Sequence, residues 1–149
     1  MEIAVCQNPK KHLELLLLAD PYEPMIDRYL PQSTVLTAVA AGRVVGIIAF
    51  CPVENGAWEI KNLAVEANWQ GQGVGRALVQ AVKDRLPAGT ALLVGTAQTS
   101  AGNLIFYEKC GFAYDHTIPN FFTDFYPEPI MEGAEQCVHM IVLRQTIAG

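Results

Sequence analysis

Gly71, Gly73 and Gly75 are spaced by two, and Gln70 and Arg76 flank them in the run Gln70-Gly71-Gln72-Gly73-Val74-Gly75-Arg76. Glycine lets a backbone approach a ligand closely and adopt conformations barred to other residues. The run stands where a helix begins, and a helix start carries unpaired N–H groups and the positive end of the dipole. The chemistry on offer is anion binding: backbone donors for a phosphate-bearing ligand, with an arginine on the rim. Two common phosphate motifs do not fit. A P-loop needs Gly-x-x-x-x-Gly-Lys-Ser/Thr, and no Lys-Ser or Lys-Thr follows these glycines. A dinucleotide fingerprint needs Gly-x-Gly-x-x-Gly on the first strand and an acid ending the next strand, whereas Val94-Gly95-Thr96 carries none.

The elements that must position this turn are legible on either side of it. Trp58 to Val65 reads as a strand leading in. Val74, Ala77, Leu78, Ala81, Val82 and Leu86 follow helical spacing leading out, and Pro87 with Gly89 stops that helix. Ala91 to Gly95 is the next strand, so strand, turn, helix and strand form a βαβ unit with parallel fourth and fifth strands. In the fourth strand Trp58 and Ile60 are apolar at even positions, but Leu63 and Val65 at odd ones. Two readings stay open: a bulge near Asn62 that flips the faces, or a strand buried on both faces.

Upstream, Ile3 to Cys6 reads as a strand, His12 to Ala19 and Tyr22 to Leu30 as helices, and Val35 to Ala40 and Val44 to Phe50 as strands joined at Ala41-Gly42-Arg43. Downstream, a helix runs from Ser100 or Ala101 to Cys110 with Gly111 as its stop. Phe112 to Thr117 and Cys137 to Leu143 are the final strands. Pro119 to Gly133 reads as a long, partly ordered loop. Nothing in the 149 residues splits the chain, so one domain over 1–149 is expected.

Half the residues are hydrophobic and 17% charged, which is a globular composition. A net charge of -5 with no basic stretch argues against nucleic acid as a partner. Cys6, Cys51, Cys110 and Cys137 form no Cys-x-x-Cys pair and the three histidines are scattered, so no metal site is expected. The cysteines read as buried thiols of a reducing compartment. No signal-like leader opens the chain, and Leu13 to Ala19 is too short to span a bilayer, so a cytoplasmic protein with no membrane partner is expected.

Gln70-x-x-Gly73-x-Gly75 resembles the Gln/Arg-x-x-Gly-x-Gly/Ala signature of the GNAT superfamily of N-acetyltransferases. Phe106-Tyr107-Glu108-Lys109-Cys110-Gly111-Phe112 is similar to that family's Leu/Phe-Tyr-x-Lys-x-Gly-Phe run. The strand and helix order over residues 1 to 118 matches as well. The resemblance implies an α/β (α+β) fold: a mixed, mostly antiparallel twisted sheet of six to seven strands, a parallel, splayed fourth and fifth pair, and about four helices. It implies acetyl-coenzyme A as cofactor. The backbone of Gly71, Gln72, Gly73, Val74, Gly75 and Arg76, with the Gln70 and Arg76 side chains, would hold the pyrophosphate. Leu63, Ala64 and Val65 on the splayed strand would bind the pantetheine arm, with the Leu63 N–H directed at the thioester oxygen. Glu59 matches the catalytic base, and Tyr107 the tyrosine that protonates the leaving thiolate. The family's pantetheine-binding asparagine falls on Ser100 or Gln98 here, with Asn103 as a further candidate.

The resemblance further implies that the acceptor meets the first two helices and the last strands with their loop. Those segments offer Asp20, Glu23, Asp27, Asp124, Glu128, Glu132 and Glu135 beside Tyr22, Phe121, Phe122 and Tyr126. Acids with aromatics suit a cationic amine. The expected activity is acetyl transfer to a small primary amine in a ternary complex. The alternatives are a protein or peptide N-acetyltransferase and a non-catalytic acyl-coenzyme A sensor. The aromatic run from Phe121 to Pro129 is expected to pack over the active site or against a second subunit in a homodimer.

Overall fold

Burying both faces of one long sheet under helices organises the chain. The computed structural model describes residues 1–149. Strands β1 (Glu2–Val5), β2 (Thr34–Ala40), β3 (Arg43–Pro52), β4 (Trp58–Val65), β5 (Ala91–Ala97), β6 (Ala113–Ile118) and β9 (Met140–Thr146) form a seven-stranded sheet in the order β1-β2-β3-β4-β5-β9-β6. A separate two-stranded hairpin consists of β7 (Met131–Glu132) and β8 (Glu135–Gln136). All main-sheet pairs are antiparallel except β4 with β5. That exception follows from the helix between them, since a parallel pair needs a crossover.

The helices are α1 (Leu13–Ala19), α2 (Glu23–Tyr29), α3 (Val74–Arg85), α4 (Ala101–Lys109) and α5 (Phe121–Phe125). Helices α3 and α4 cover one face through Val74, Leu78, Val79, Val82 and Tyr107, packed with Ile48, Phe50, Ile60 and Val94. Helices α1 and α2 cover the other through Leu15, Leu16, Ile26 and Tyr29, packed with Ile47, Ala49 and Ala64. The alternation of Ile47 and Ala49 with Ile48 and Phe50 is the period-two pattern of a central strand.

The phase change in β4 is a bulge. Ala49 pairs with Asn62 and the adjacent Phe50 with Ile60, so Lys61 has no opposite number on β3. Ile60 therefore packs under α3, whereas Ala64 packs under α1 and α2. One extra residue moves every later side chain to the opposite face.

Two expectations need correction, while the α-helices number five against the expected about four. The segment from Pro119 to Gly133 is not a loop: it holds α5 and the first strand of the β7–β8 hairpin. Both elements are shorter than the windows in which periodicity is visible. The final strand begins at Met140, three residues later than the expected start, and inserts between β5 and β6.

Candidate active site

The parallel pairing of β4 with β5 covers only Trp58–Ile60 against Leu92–Val94. Beyond Ile60 and Val94 the strands diverge, and the bulge at Lys61 sits at the point of divergence. A cleft of about 590 Å³ opens there, with walls from Ile60–Val65 and Val94–Ala97. Unpaired backbone on a strand edge must find a partner or water, so this gap suits an extended, peptide-like group.

At one end of the cleft stand Gln70, Asn103 and Tyr107. Gln70 donates its side-chain amide to the Val65 carbonyl at 3.1 Å, which ties the end of β4 to the glycine run. Gly71 (φ +77°) and Gly73 (φ +84°) are left-handed, and no atom lies within 4 Å of where a Cβ would sit on either. Gly73 caps α3 without any side-chain hydrogen bond, and no acid occupies the first turn. The first bonded amide is that of Ala77, which donates to the Gly73 carbonyl at 3.0 Å. The amides of Val74, Gly75 and Arg76 have no intrahelical acceptor by helix geometry. An uncapped, acid-free helix start beside open space fits an anion as large as a diphosphate.

Gly75 differs from its two neighbours. A Cβ there would lie 3.3 Å from Phe106 Cζ, so its small size serves the α3–α4 contact. Gly46 on β3 plays a similar part that sequence reasoning missed. A Cβ at 46 would lie 2.8 Å from Val74 Cγ1 and 3.1 Å from Leu78 Cδ1. Its absence lets the first turn of α3 sit down on the sheet.

Tyr107 is buried and lines the cleft. Edge contacts with Phe106 (5.1 Å between centroids) and Phe112 (5.7 Å) fix its ring. Burial pushes its phenol well above the ordinary tyrosine range, so the hydroxyl remains a donor.

The remaining sequence-derived residues divide. Leu63, Ala64 and Val65 line the cleft. Asn103 reaches Thr96 Oγ1 at 3.3 Å and lines it too. Glu59 does not; its Oε1 pairs with Lys61 Nζ at 3.2 Å, and Lys61 forms part of the wall. Gln98 is engaged in holding the start of β9: its Oε1 accepts from the amides of Val138 (3.0 Å) and His139 (2.8 Å), and its Nε2 donates to the Gln136 carbonyl. The Ser100 hydroxyl, at the N-cap of α4, donates to the Glu132 carboxylate. Gln72 donates to the Asn68 carbonyl at 3.1 Å, and Arg76 is exposed.

Of the acceptor residues the sequence offered, Asp20, Phe122, Tyr126 and Glu132 line the far end of the cleft, whereas Leu18, Pro21, Ile130 and Met131 were not foreseen. Leu18, Asp20 and Pro21 from the end of α1 meet Phe122, Tyr126, Ile130, Met131 and Glu132 there. Tyr126 donates to Asp20 Oδ1 at 3.0 Å, and Tyr29 donates to Asp20 Oδ2 at 3.1 Å. Asn62 Nδ2 donates to both Tyr29 Oη and the Leu16 carbonyl, each at 3.0 Å. No cluster of His, Cys, Asp and Glu could hold a metal ion, and no helix is long and apolar enough to cross a membrane.

Comparison with known proteins supplies the family. A model described as an acetyltransferase (GNAT) domain matches residues 31–114. The uncharacterized N-acetyltransferase YvbK of Bacillus subtilis is 34% identical over 132 residues, covering 87% of this chain and 85% of that protein. A GNAT family acetyltransferase from Elizabethkingia anophelis, solved with acetyl-CoA bound, superposes with a TM-score of 0.88 at 35% identity, covering 97% of each chain. A Bacillus subtilis acetyltransferase solved in complex with CoA gives 0.87 at 32% identity, again covering 97% of each chain.

Proposed function

The chain belongs to the GNAT acetyltransferase family, and from that premise we propose that this acetyl-CoA-dependent N-acetyltransferase acts on the primary amine of a small molecule by direct attack in a ternary complex. The observation that carries the reading is the β4–β5 gap beyond Ile60 and Val94, walled by Gln70, which precedes the uncapped start of α3. When bound, acetyl-CoA supplies an acyl group activated as a thioester. The amides of residues 71–76 hold the diphosphate, and the Arg76 side chain stands at the rim. The free edge of β4 at Leu63, Ala64 and Val65 takes the place of a neighbouring strand for the pantetheine amides. The Tyr107 hydroxyl, on the cleft wall, gives its proton at the departing sulfur. Glu59 holds Lys61 at the wall through their ion pair.

The small-molecule acceptor is supported by the shape of the far end. The α5–hairpin segment folds over it and Tyr126 bonds to Asp20. A pocket closed on that side admits a compact amine more readily than an extended chain.

The test is free-thiol release from acetyl-CoA against a panel of small primary amines, amino-terminal peptides and lysine peptides. Small amines are expected to accelerate release. Acceleration by peptides alone contradicts the acceptor class, and no acceleration by any amine contradicts transfer.

A further inference from the structure

Asp20 is a buried carboxylate with no basic partner. It is 7% exposed. The ion pairs of the chain join Lys10, Arg43, Lys61 and His116 to other acids. An ionised carboxylate in such a position must gain a cation or a proton. Its hydrogen bonds come only from neutral donors: Tyr126 Oη and, at 3.4 Å, the Tyr22 amide on Oδ1, and Tyr29 Oη on Oδ2. A carboxylate offers about four acceptor positions, so room remains for a donor arriving through the cleft that Asp20 lines.

The setting also favours a cation. The Tyr22 and Tyr126 rings stand 5.7 Å apart beside it. Leu18, Phe122, Ile130 and Met131 complete an apolar wall. Tyr29 is itself held by Asn62, whose Oδ1 is sealed from solvent without a donor. That amide cannot be turned to relieve this, because Leu16's carbonyl can only accept. The chain thus leaves an acceptor unpaired in order to fix Tyr29 on Asp20.

We propose that Asp20 is the anchor for the acceptor's ammonium group and the base that takes its proton, and that the acceptor carries this amine on an apolar or aromatic body. The inference rests on the transfer reading above. Asp20 removes one proton from R–NH3+, leaving R–NH2 and a neutral carboxyl group. The nitrogen lone pair forms the C–N bond to the acetyl carbon, and the C–S bond breaks with its electrons on sulfur. Tyr107 gives its proton to that sulfur and is restored by the second proton from nitrogen. The proton on Asp20 returns to solvent, so the products are amide, thiol and one proton.

The groups facing Asp20 are Tyr22, Tyr29 from α2 and Tyr126 after α5, with Asn62 of β4 bonded to Tyr29 behind it; Lys61, Glu132 and Cys137 lie along the same cleft. Arg28 lies over Phe125 at 5.7 Å. Burial raises the Asp20 carboxyl above its ordinary value, against the lowering effect of the Tyr126, Tyr22 and Tyr29 bonds.

The experiment compares 2-phenylethylamine with its neutral counterpart 2-phenylethanol by calorimetry on the full chain saturated with CoA. A charge-assisted bond to Asp20 predicts that the amine binds tighter by at least about tenfold. Asp20→Asn should erase that preference while leaving CoA affinity unchanged. No preference in the unaltered protein, or its survival in Asp20→Asn, overturns the anchor. Because Asp20→Asn also disturbs two phenol bonds, Tyr126→Phe provides a second reading. Loss of a bond that lowers the Asp20 pKa should move the acidic limb of kcat/KM to higher pH, and an unmoved limb overturns the proton step. Thiol release without amine preference leaves the transfer reading standing and ends this one. Amine preference with no thiol release keeps the anchor and ends both transfer and the proton step.

Discussion

Gly73→Ala separates a phosphate nest from a tight turn. At φ +84° an alanine pays for a left-handed backbone, roughly 1–2 kcal/mol. No atom lies within 4 Å of the new Cβ, so no clash adds to this. The melting temperature should fall by about 2–4 °C per kcal/mol for a chain of this length, leaving a folded protein. The affinity effect is larger, because the methyl occupies the space where phosphate oxygens meet the amides. Losing one or two charge-assisted hydrogen bonds, about 1.5–3 kcal/mol each, weakens CoA by at least about tenfold. Calorimetry with CoA and with pantetheine, which lacks the diphosphate, reads this directly: only CoA should weaken. Gly75→Ala is the control. Its Cβ points at Phe106 and not into open space, so it perturbs the α3–α4 packing and should weaken CoA less than Gly73→Ala does. Equal losses for CoA and pantetheine in Gly73→Ala, or no loss for either, would refute the nest.

Three further outcomes are expected. Tyr107→Phe should lower turnover by about 100-fold or more with CoA affinity unchanged; near-normal turnover removes the acid role. Gly46→Ala places a Cβ 2.8 Å from Val74 Cγ1, which should cost about 1–3 kcal/mol in denaturant titrations and weaken CoA by displacing the start of α3. Unchanged stability and affinity together would contradict the close approach. Asp20 binds its proton more tightly in the folded state than at its ordinary value of 3.8. Its contribution to stability is therefore complete below that value and lost as pH rises through the folded-state value. Thermal melts from about pH 4 to about pH 7 should show the gap between the unaltered protein and Asp20→Asn changing in that direction, and a constant gap contradicts it.

How much of this was visible in the sequence follows from range. The span of β4, the parallel β4–β5 pair and the extent of α3 come from local periodicity and punctuation, and the structure reproduces them. The phase change between Ile60 and Leu63 left two readings, and the register of Ala49 and Phe50 decides for the bulge. At the acceptor end the sequence offered Asp20, Phe122, Tyr126 and Glu132 as residues but not the bonds that join them. The Asp20–Tyr126 bond joins residues 106 positions apart, through a five-residue helix too short to announce itself. Gln98 illustrates the converse. Its place in the chain suited a ligand contact, but the amides of Val138 and His139, brought up by β9, take its carbonyl. Gly46 carried no signal at all, since a small residue in a strand announces nothing until a helix is seen resting on it.

In a crystal structure of the chain with acetyl-CoA, the diphosphate should lie against the amides of residues 71–76 and the pantetheine between Leu63–Val65 and Gly95–Ala97. A diphosphate elsewhere on the surface, or a β4–β5 gap closed in the complex, would contradict this placement.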